Sequence, residues 1–133
     1  MKKDYKKLAE RARDEVLADF LADFLFGKKL KKYVTESYSS FKKAKLYTLD
    51  LGRLARDKGY VTDDPDSPKA SPIRFYSRYA PMESNTILEK VTYSEYDNGD
   101  CTISYTNHDV DIKDVSIDWL YIMLDDLQKM IYG

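Results

Sequence analysis

The sequence of residues 86–106 is TILEKVTYSEYDNGDCTISYT, which contains the strongest local fold signal in the chain. Segments 86–96 and 101–106 are rich in β-branched and aromatic residues, which favour strands. Between them, Asn98 and Gly99 form the dipeptide preferred at the centre of a two-residue type I′ turn, because both residues tolerate positive φ. We therefore predict an antiparallel hairpin.

The hairpin turn also predicts a register for the two strands. With Asn98 and Gly99 as the loop, Tyr96 pairs with Cys101, and further along the strands Glu89 lies opposite His108. Residues 109–113 either continue the second strand or begin another. Residues 73–80 alternate and are rich in aromatic residues, so they predict a further strand. The sheet is expected to be small and antiparallel, with about three strands.

Helical periodicity dominates the chain before this region. Apolar residues recur every three or four positions in 4–26, which predicts an amphipathic helix with Asp4 as its N-cap and Gly27 after its end. A second short helix is predicted within 28–45, and a third within 46–58, where leucines again have helical spacing.

The second half of the chain begins with a break and ends with a helix. Residues 61–72 hold three of the four prolines, which predicts an exposed loop. Ser116 is a suitable N-cap for a last helix, expected to cover one face of the sheet. Segregation of helices and strands along the chain favours an α+β fold. We predict one domain, 1–133, with a basic helical half (1–60), a Pro-rich loop (61–72) and an acidic sheet-plus-helix half (73–133).

Composition narrows the class of protein. The chain has 133 residues, of which 43% are hydrophobic, as is typical of one globular domain with a core. A single Cys and a single His exclude an intrachain disulfide and a Cys/His zinc site within one copy. No apolar run approaches the roughly 18 residues of a membrane helix. Acidic residues interrupt the first segment, so we expect no signal peptide, no membrane contact and a cytoplasmic location.

The net charge of −1 conceals a polarity. Residues 1–60 contain 16 Lys/Arg and 9 Asp/Glu, whereas residues 61–133 contain 6 and 14, so the halves carry +7 and −8. A basic half can attract phosphates or an acidic protein surface. Attraction between the two halves within the fold is the alternative explanation.

Basic and aromatic residues define one candidate surface. Arg74, Tyr76 and Arg78 alternate, so they are expected to share one face of a strand. Such side chains on a sheet can stack on bases and contact phosphates, although a solvated exterior has the same composition. The predicted basic partner-binding surface consists of Lys28, Lys29, Lys31, Lys32, Lys42, Lys43, Lys45, Arg53, Arg56, Arg74, Tyr76 and Arg78.

Acidic residues define a second candidate surface, in the Pro-rich loop and near the C-terminus. A negative surface can occupy a basic groove by electrostatic complementarity, as small inhibitors of nucleic-acid enzymes do. The alternative is a helix exterior that keeps the protein soluble. The predicted acidic partner-binding surface consists of Asp63, Asp64, Asp66, Asp109, Asp111, Asp114, Asp118, Asp125 and Asp126.

Catalytic motifs are weak. Pro65-Asp66 followed by Asp111-Ile112-Lys113 is similar to the PD-(D/E)xK nuclease pattern, which implies carboxylates that hold Mg²⁺ and a lysine that stabilises phosphate charge. The resemblance covers only these five residues, and its first carboxylate lies in a Pro-rich loop rather than on a strand. We expect no catalytic residue, no metal and no cofactor.

Together these patterns predict a small non-enzymatic interaction protein with a charge-polarised surface. We expect a regulator or inhibitor of another macromolecule, most simply a protein, and a phage or mobile-element accessory protein acting on a nucleic-acid enzyme is one setting. Two alternatives stay open: a nucleic-acid-binding module that uses the Lys clusters and the Arg/Tyr strand, and a metal-dependent nuclease. A homo-oligomer that pairs basic and acidic halves is also compatible with the sequence.

Overall fold

Helices and an antiparallel sheet make up the described part of the chain, so the predicted α+β class is confirmed. The computed structural model describes residues 3–11, 13–75, 85–105 and 108–132. The α-helices are α1 (Tyr5–Arg11), α2 (Arg13–Asp19), α3 (Leu51–Asp57) and α4 (Ile117–Tyr132). The strands are β1 (Val34–Ser39), β2 (Ala44–Asp50), β3 (Lys90–Tyr96), β4 (Cys101–Tyr105) and β5 (His108–Asp111). A π-helical segment (Phe20–Leu25) follows α2, and 3₁₀ helices span Lys28–Tyr33 and Ile112–Asp114.

The five strands form one antiparallel sheet in the order β1-β2-β3-β4-β5. The prediction of about three strands was therefore wrong, and the predicted basic helical half, 1–60, contains the strands β1 and β2 as well as helices. Leu46 and Leu49 have the spacing of a helix, but in β2 they lie on opposite faces, opposite Ser94 and Val91 of β3. A three-residue spacing of leucines is compatible with a helix or with a strand, and pairing with β3 makes this segment a strand.

Only the second part of the predicted third helix is helical. α3 begins directly after β2, where the Asp50 carboxylate accepts a hydrogen bond from the Arg53 N–H over 3.0 Å and caps the first turn. The helix ends at Asp57, and Gly59 follows with a φ of 89°.

The hairpin between β3 and β4 is present, but its loop has three residues rather than two. The Tyr96 N–H donates to the Asp100 carbonyl and the Gly99 N–H donates to the Tyr96 carbonyl, both over 2.9 Å. Gly99 has a φ of 94°, whereas its loop neighbours do not enter the left-handed region. This is a type I turn followed by a left-handed glycine. The predicted pairing of Tyr96 with Cys101 was thus wrong by one residue, since Glu95 pairs with Cys101.

The chain reverses again after β4, so β5 is a separate strand. Tyr105 pairs with His108, and Ile103 pairs with Val110. The predicted position of His108 opposite Glu89 was wrong, because β5 pairs with β4 and does not extend it.

The helices cover one face of the sheet, as predicted for the last helix. The ring of Trp119 in α4 stacks on Tyr105 of β4, with ring centroids 4.8 Å apart. Leu120 and Leu124 of the same helix are fully buried, together with Phe20 of the π-helical segment. No helix within the described ranges is long and apolar enough to cross a membrane.

The N-terminal helical region is tied to its neighbours by charged contacts. Asp4 caps α1 as predicted, because its carboxylate accepts a hydrogen bond from the Lys7 N–H over 3.1 Å. The Lys3 ammonium lies 2.9 Å from the carboxylate of Asp19 and 2.5 Å from that of Asp23. These carboxylates raise the pKa of Lys3, and the hydrogen bond to Asp23 is the largest cause.

Residues 61–72 form an irregular loop, as predicted, closed by a bridge between Val61 and Ala70. In the predicted strand 73–80, Arg74 forms an isolated bridge with Ile87, and residues 76–80 lie outside the described residues.

Candidate functional site

The four lysines of the 3₁₀ helix Lys28–Tyr33 form an exposed basic cluster beside the sheet. Leu30 and Tyr33, three residues apart, are both buried. Because a 3₁₀ helix places residues i and i+3 in line, this pair anchors one side of the helix in the core. The remaining side chains, Lys28, Lys29, Lys31 and Lys32, are exposed.

Tyr33 brings α3 to the same surface. Its hydroxyl donates a hydrogen bond to the Asp57 carboxylate over 2.6 Å. The Lys32 ammonium and the Arg53 guanidinium lie over its ring, 5.0 and 5.6 Å from the centroid. The hydrogen bond from Tyr33 lowers the pKa of Asp57 and raises the pKa of Tyr33. Arg53 therefore lies beside the lysine cluster.

A groove lies next to this cluster, where the chain leaves the π-helical segment and enters β1. It has a volume of about 430 Å³, and its lining includes Leu25, Phe26, Lys28, Lys31, Val34 and Tyr47. We call it the aromatic groove. The Phe26 ring is 49% exposed and meets the Tyr47 ring edge-to-face, with centroids 4.9 Å apart. It also meets Tyr93 edge-to-face at 6.2 Å.

The path of the chain at Gly27 sets the position of Phe26. The Phe26 N–H donates to the Leu21 carbonyl over 2.7 Å, a five-residue span that ends the π-helical segment. A Cβ atom on Gly27 would lie 2.4 Å from the Asp23 carbonyl oxygen, so the backbone passes where only glycine fits. This close approach, and not a left-handed conformation at the end of a helix, explains Gly27, because its φ is −74°.

Phe26 and Tyr47 were not among the predicted binding residues. The available signal was an aromatic residue directly before the Gly-Lys-Lys sequence at 27–29. Helical periodicity did not predict that Phe26 is exposed, because it assumes regular α-helical spacing and the π-helical segment before Phe26 departs from that spacing.

The other lysines of the predicted basic surface are Lys42, Lys43 and Lys45. They are divided between the two faces of the sheet and the turn that joins β1 to β2. The Lys45 ammonium lies 2.9 Å from the Glu36 carboxylate, whose hydrogen bond raises the pKa of Lys45. Glu36 also lines the aromatic groove, so Lys45 belongs to that side. Lys42 reaches to within 3.9 Å of the Asp109 carboxylate and lines a cavity on the other face. Lys43, with a φ of 54°, lies in the turn between β1 and β2.

The cavity on the other face has a volume of about 510 Å³ and a lining rich in hydroxyl groups. The hydroxyls of Thr48 and Thr92 lie 2.9 Å apart and hydrogen-bond to each other. The Ser104 hydroxyl donates to Asp109. These polar groups bind one another, so they are less available to a ligand than the groove lysines.

Two of the predicted basic arginines serve the fold. Arg56 hydrogen-bonds to the Thr62 hydroxyl at 2.9 Å and lies 3.4 Å from the Glu89 carboxylate. Arg74 is buried, and its guanidinium donates to the carbonyls of Asn85 and Pro65. The prediction that Arg74 lies on an exposed strand face was therefore wrong. Tyr76 and Arg78 lie outside the described residues.

The predicted acidic residues occupy several separate segments. Asp63, Asp64 and Asp66 lie in the Pro-rich loop, and Asp109 and Asp111 in β5. Asp114 ends the second 3₁₀ helix, while α4 contains Asp118, Asp125 and Asp126. The Asp125 carboxylate lies 3.1 Å from the Lys129 ammonium, one helical turn away.

The residues of the nuclease-like pattern have local structural roles. The Asp111 carboxylate accepts a hydrogen bond from the Lys113 N–H over 2.9 Å and caps the 3₁₀ helix Ile112–Asp114. Asp66 donates its N–H to the Asp64 carboxylate within the Pro-rich loop. Across the described residues, no group of three or more His, Cys, Asp or Glu side chains is placed to hold a metal ion.

Comparison of this chain with protein-family models, curated proteins and solved structures finds no match.

Proposed function

We propose that this protein is a non-enzymatic regulator or inhibitor that binds another protein through the aromatic groove and its lysine rim. One observation carries the proposal: the half-exposed Phe26 lines the same groove as the exposed Lys28 and Lys31, and the edge strand β1 borders that groove through Val34 and Glu36. Protein interfaces commonly place an aromatic anchor at the centre and polar or charged residues at the rim. A chain with such a surface acts most simply by occupying a surface of its partner.

The lysines at the groove are available to a partner. Within the described residues, no carboxylate lies within ion-pair distance of Lys28 or Lys31, whereas Lys45 is held by Glu36. Exposed lysines contribute mainly to association rate and to the choice of partner. The groove therefore favours a partner with negative charge.

Single-stranded nucleic acid is the second candidate partner, because lysines and aromatic rings share this surface. Such a surface can contact phosphates and stack on bases. The aliphatic side chains of Leu25 and Val34 in the groove favour a protein instead, because nucleic-acid bases stack on aromatic side chains. A protein partner can direct an apolar side chain at the aromatic rings and a carboxylate at the lysines.

A pull-down with tagged protein tests the proposal. It uses a lysate of the source organism, with and without nuclease, and identifies the captured proteins by mass spectrometry. The wild type is compared with Lys28→Glu/Lys31→Glu and with Lys69→Glu/Lys90→Glu, a control pair of exposed lysines with the same charge change.

We expect the wild type and the control pair to recover the same protein after nuclease treatment, and Lys28→Glu/Lys31→Glu to lose it. Recovery of nucleic acid alone would favour the second candidate. Equal recovery by all three proteins would show that the groove is not the binding surface. Circular dichroism of each variant confirms that the fold is unchanged.

A further inference from the structure

We propose that β1 receives an acidic peptide segment of the partner as a sixth strand of the sheet. The inference rests on the proposed function, since it names what binds beside the aromatic groove. It specifies an extended backbone conformation, a negative charge and an alternating side-chain pattern for the bound segment.

The backbone of β1 is open along its outer edge. This strand is one end of the sheet order, and no other strand in the described ranges pairs with its outer side. Its residues from Thr35 to Tyr38 are all exposed. In an antiparallel ladder, alternate residues direct their N–H and C=O groups away from the neighbouring strand, so this edge offers donors and acceptors to an added strand.

The two edges of the sheet differ. β5 has four residues and leads at once into the 3₁₀ helix Ile112–Asp114, features that limit pairing at an edge. β1 has six residues and no proline. The longer open edge is also the one that borders the aromatic groove, through Val34 and Glu36.

Charge selects an acidic occupant. Lys31 and Lys32 lie three and two residues before the first residue of β1, and Lys42 and Lys43 follow the strand in the turn. The single acidic residue of the strand, Glu36, is already paired with Lys45 at 2.9 Å. Antiparallel pairing of β1 with β1 of a second copy would bring the lysines at its two ends together, which is unfavourable.

The groove adds a requirement for apolar side chains. The side chains of Val34 and Glu36 share one face of β1, because residues two apart in a strand point the same way. Both line the groove, so this face of β1 borders it. Because neighbouring residues of a strand face opposite sides of the sheet, an added strand would place one alternate set of side chains on the groove face beside Val34 and the other set on the opposite face, where Lys42 lies. Apolar residues suit the first set and carboxylates the second. The preferred segment therefore alternates apolar and acidic residues, which is the usual division between backbone affinity and side-chain specificity in strand addition.

The probe is a short fluorescein-labelled peptide in which Val alternates with Glu, and anisotropy measures its binding to the full chain. Two further peptides carry backbone N-methyl groups on one or the other alternate set of residues. A peptide in which Val alternates with Lys is the charge control. Hydrogen–deuterium exchange of the protein is recorded with and without the first peptide.

We expect binding by the Val/Glu peptide and not by the Val/Lys peptide. Methylation of one alternate set should weaken binding by about tenfold or more, since it removes several backbone hydrogen bonds of roughly 1 kcal/mol each, and methylation of the other set should have little effect. Amide protection should increase in Val34–Ser39 and not in His108–Asp111.

Three results would overturn the strand-addition proposal. The first is that the Val/Glu peptide does not bind. The second is that both N-methylated peptides bind as tightly as the unmethylated peptide and the β1 amides gain no protection. The third is self-association of the protein, measured by light scattering. The pull-down remains a separate test. If Lys28→Glu/Lys31→Glu still recovers the partner there, the proposed function itself fails.

Discussion

Replacing Gly27 by alanine tests the chain path that builds the aromatic groove. A Cβ atom at this position would lie 2.4 Å from the Asp23 carbonyl oxygen and 2.9 Å from that of Ala22. Both oxygens belong to the backbone of the π-helical segment, so neither can rotate away as a flexible side chain can. The φ of −74° and ψ of 155° are ordinary for any residue, and the cost of alanine is therefore steric.

The expected loss follows from this contact. Overpacking of a folded structure typically costs roughly 1–3 kcal/mol, and a backbone clash places Gly27→Ala near the upper end, at about 2–3 kcal/mol. For a chain of this size each kcal/mol lowers the melting temperature by roughly 3–5 °C, so the fall should be roughly 6–15 °C.

Gly59 provides the matched control. Its φ is 89°, and a Cβ atom there would meet nothing within 4 Å, so Gly59→Ala costs only conformational strain, about 1–2 kcal/mol. Asparagine tolerates the left-handed region better than alanine, so Gly59→Asn should recover part of that loss. Gly27→Asn should recover nothing, because the clash concerns space and not φ.

Thermal and urea denaturation, followed by circular dichroism, measure all four variants. A Gly27→Ala variant within about 0.5 kcal/mol of the wild type, with Gly59→Ala destabilised as expected, would show that the fold accommodates a Cβ atom at position 27. Equal recovery of stability by asparagine at positions 27 and 59 would also contradict the steric explanation, because both losses would then come from backbone conformation.

Substitutions at three further positions test the core, a cap and a titrating group. Leu124→Ala removes a fully buried side chain of α4 and should lower the free energy of unfolding in urea by about 2–5 kcal/mol; a loss below about 1 kcal/mol would contradict its burial. Asp50→Ala removes the hydrogen bond to the Arg53 N–H and should cost about 1 kcal/mol, whereas Asp50→Asn should retain most of the stability. Tyr33→Phe should raise the pKa of Asp57 toward its ordinary value of 3.8, as measured by NMR titration. Because the folded-state pKa of Asp57 is lowered, the stability advantage of the wild type should be present above pH 3.8 and fade as the pH falls through the folded-state pKa; an unchanged pKa would refute the role of the hydrogen bond.

Local sequence signals predicted the elements whose stability depends on nearby residues. The last helix begins after Ser116, as predicted, and its apolar stripe faces the core. The Asn98-Gly99 turn was recognised, although the loop gained a residue because only the glycine adopts positive φ. That single residue shifted the register, since two turn types fit the same dipeptide.

The candidate site was only partly predictable. The lysines of 28–32 form an exposed cluster, as their composition indicated, and Arg53 joins them through Tyr33. Arg74 was misplaced, because an alternating pattern does not reveal that a guanidinium is buried against the carbonyls of a distant loop.

What the linear chain determined is therefore its α+β class, its helix caps and turns, and the polarity of its charge, since these depend on contacts between residues close in sequence. The tertiary structure decided that residues 34–50 pair as β1 and β2, because β1 pairs with β2 and β2 in turn pairs with β3, forty or more residues away. The hydroxyls of Thr48 in β2 and Thr92 in β3 hydrogen-bond to each other across this pairing. It also decided that Phe26 lies in a groove beside an open sheet edge. Both results depend on long-range pairing, in which each residue receives its conformation from partners that periodicity cannot identify.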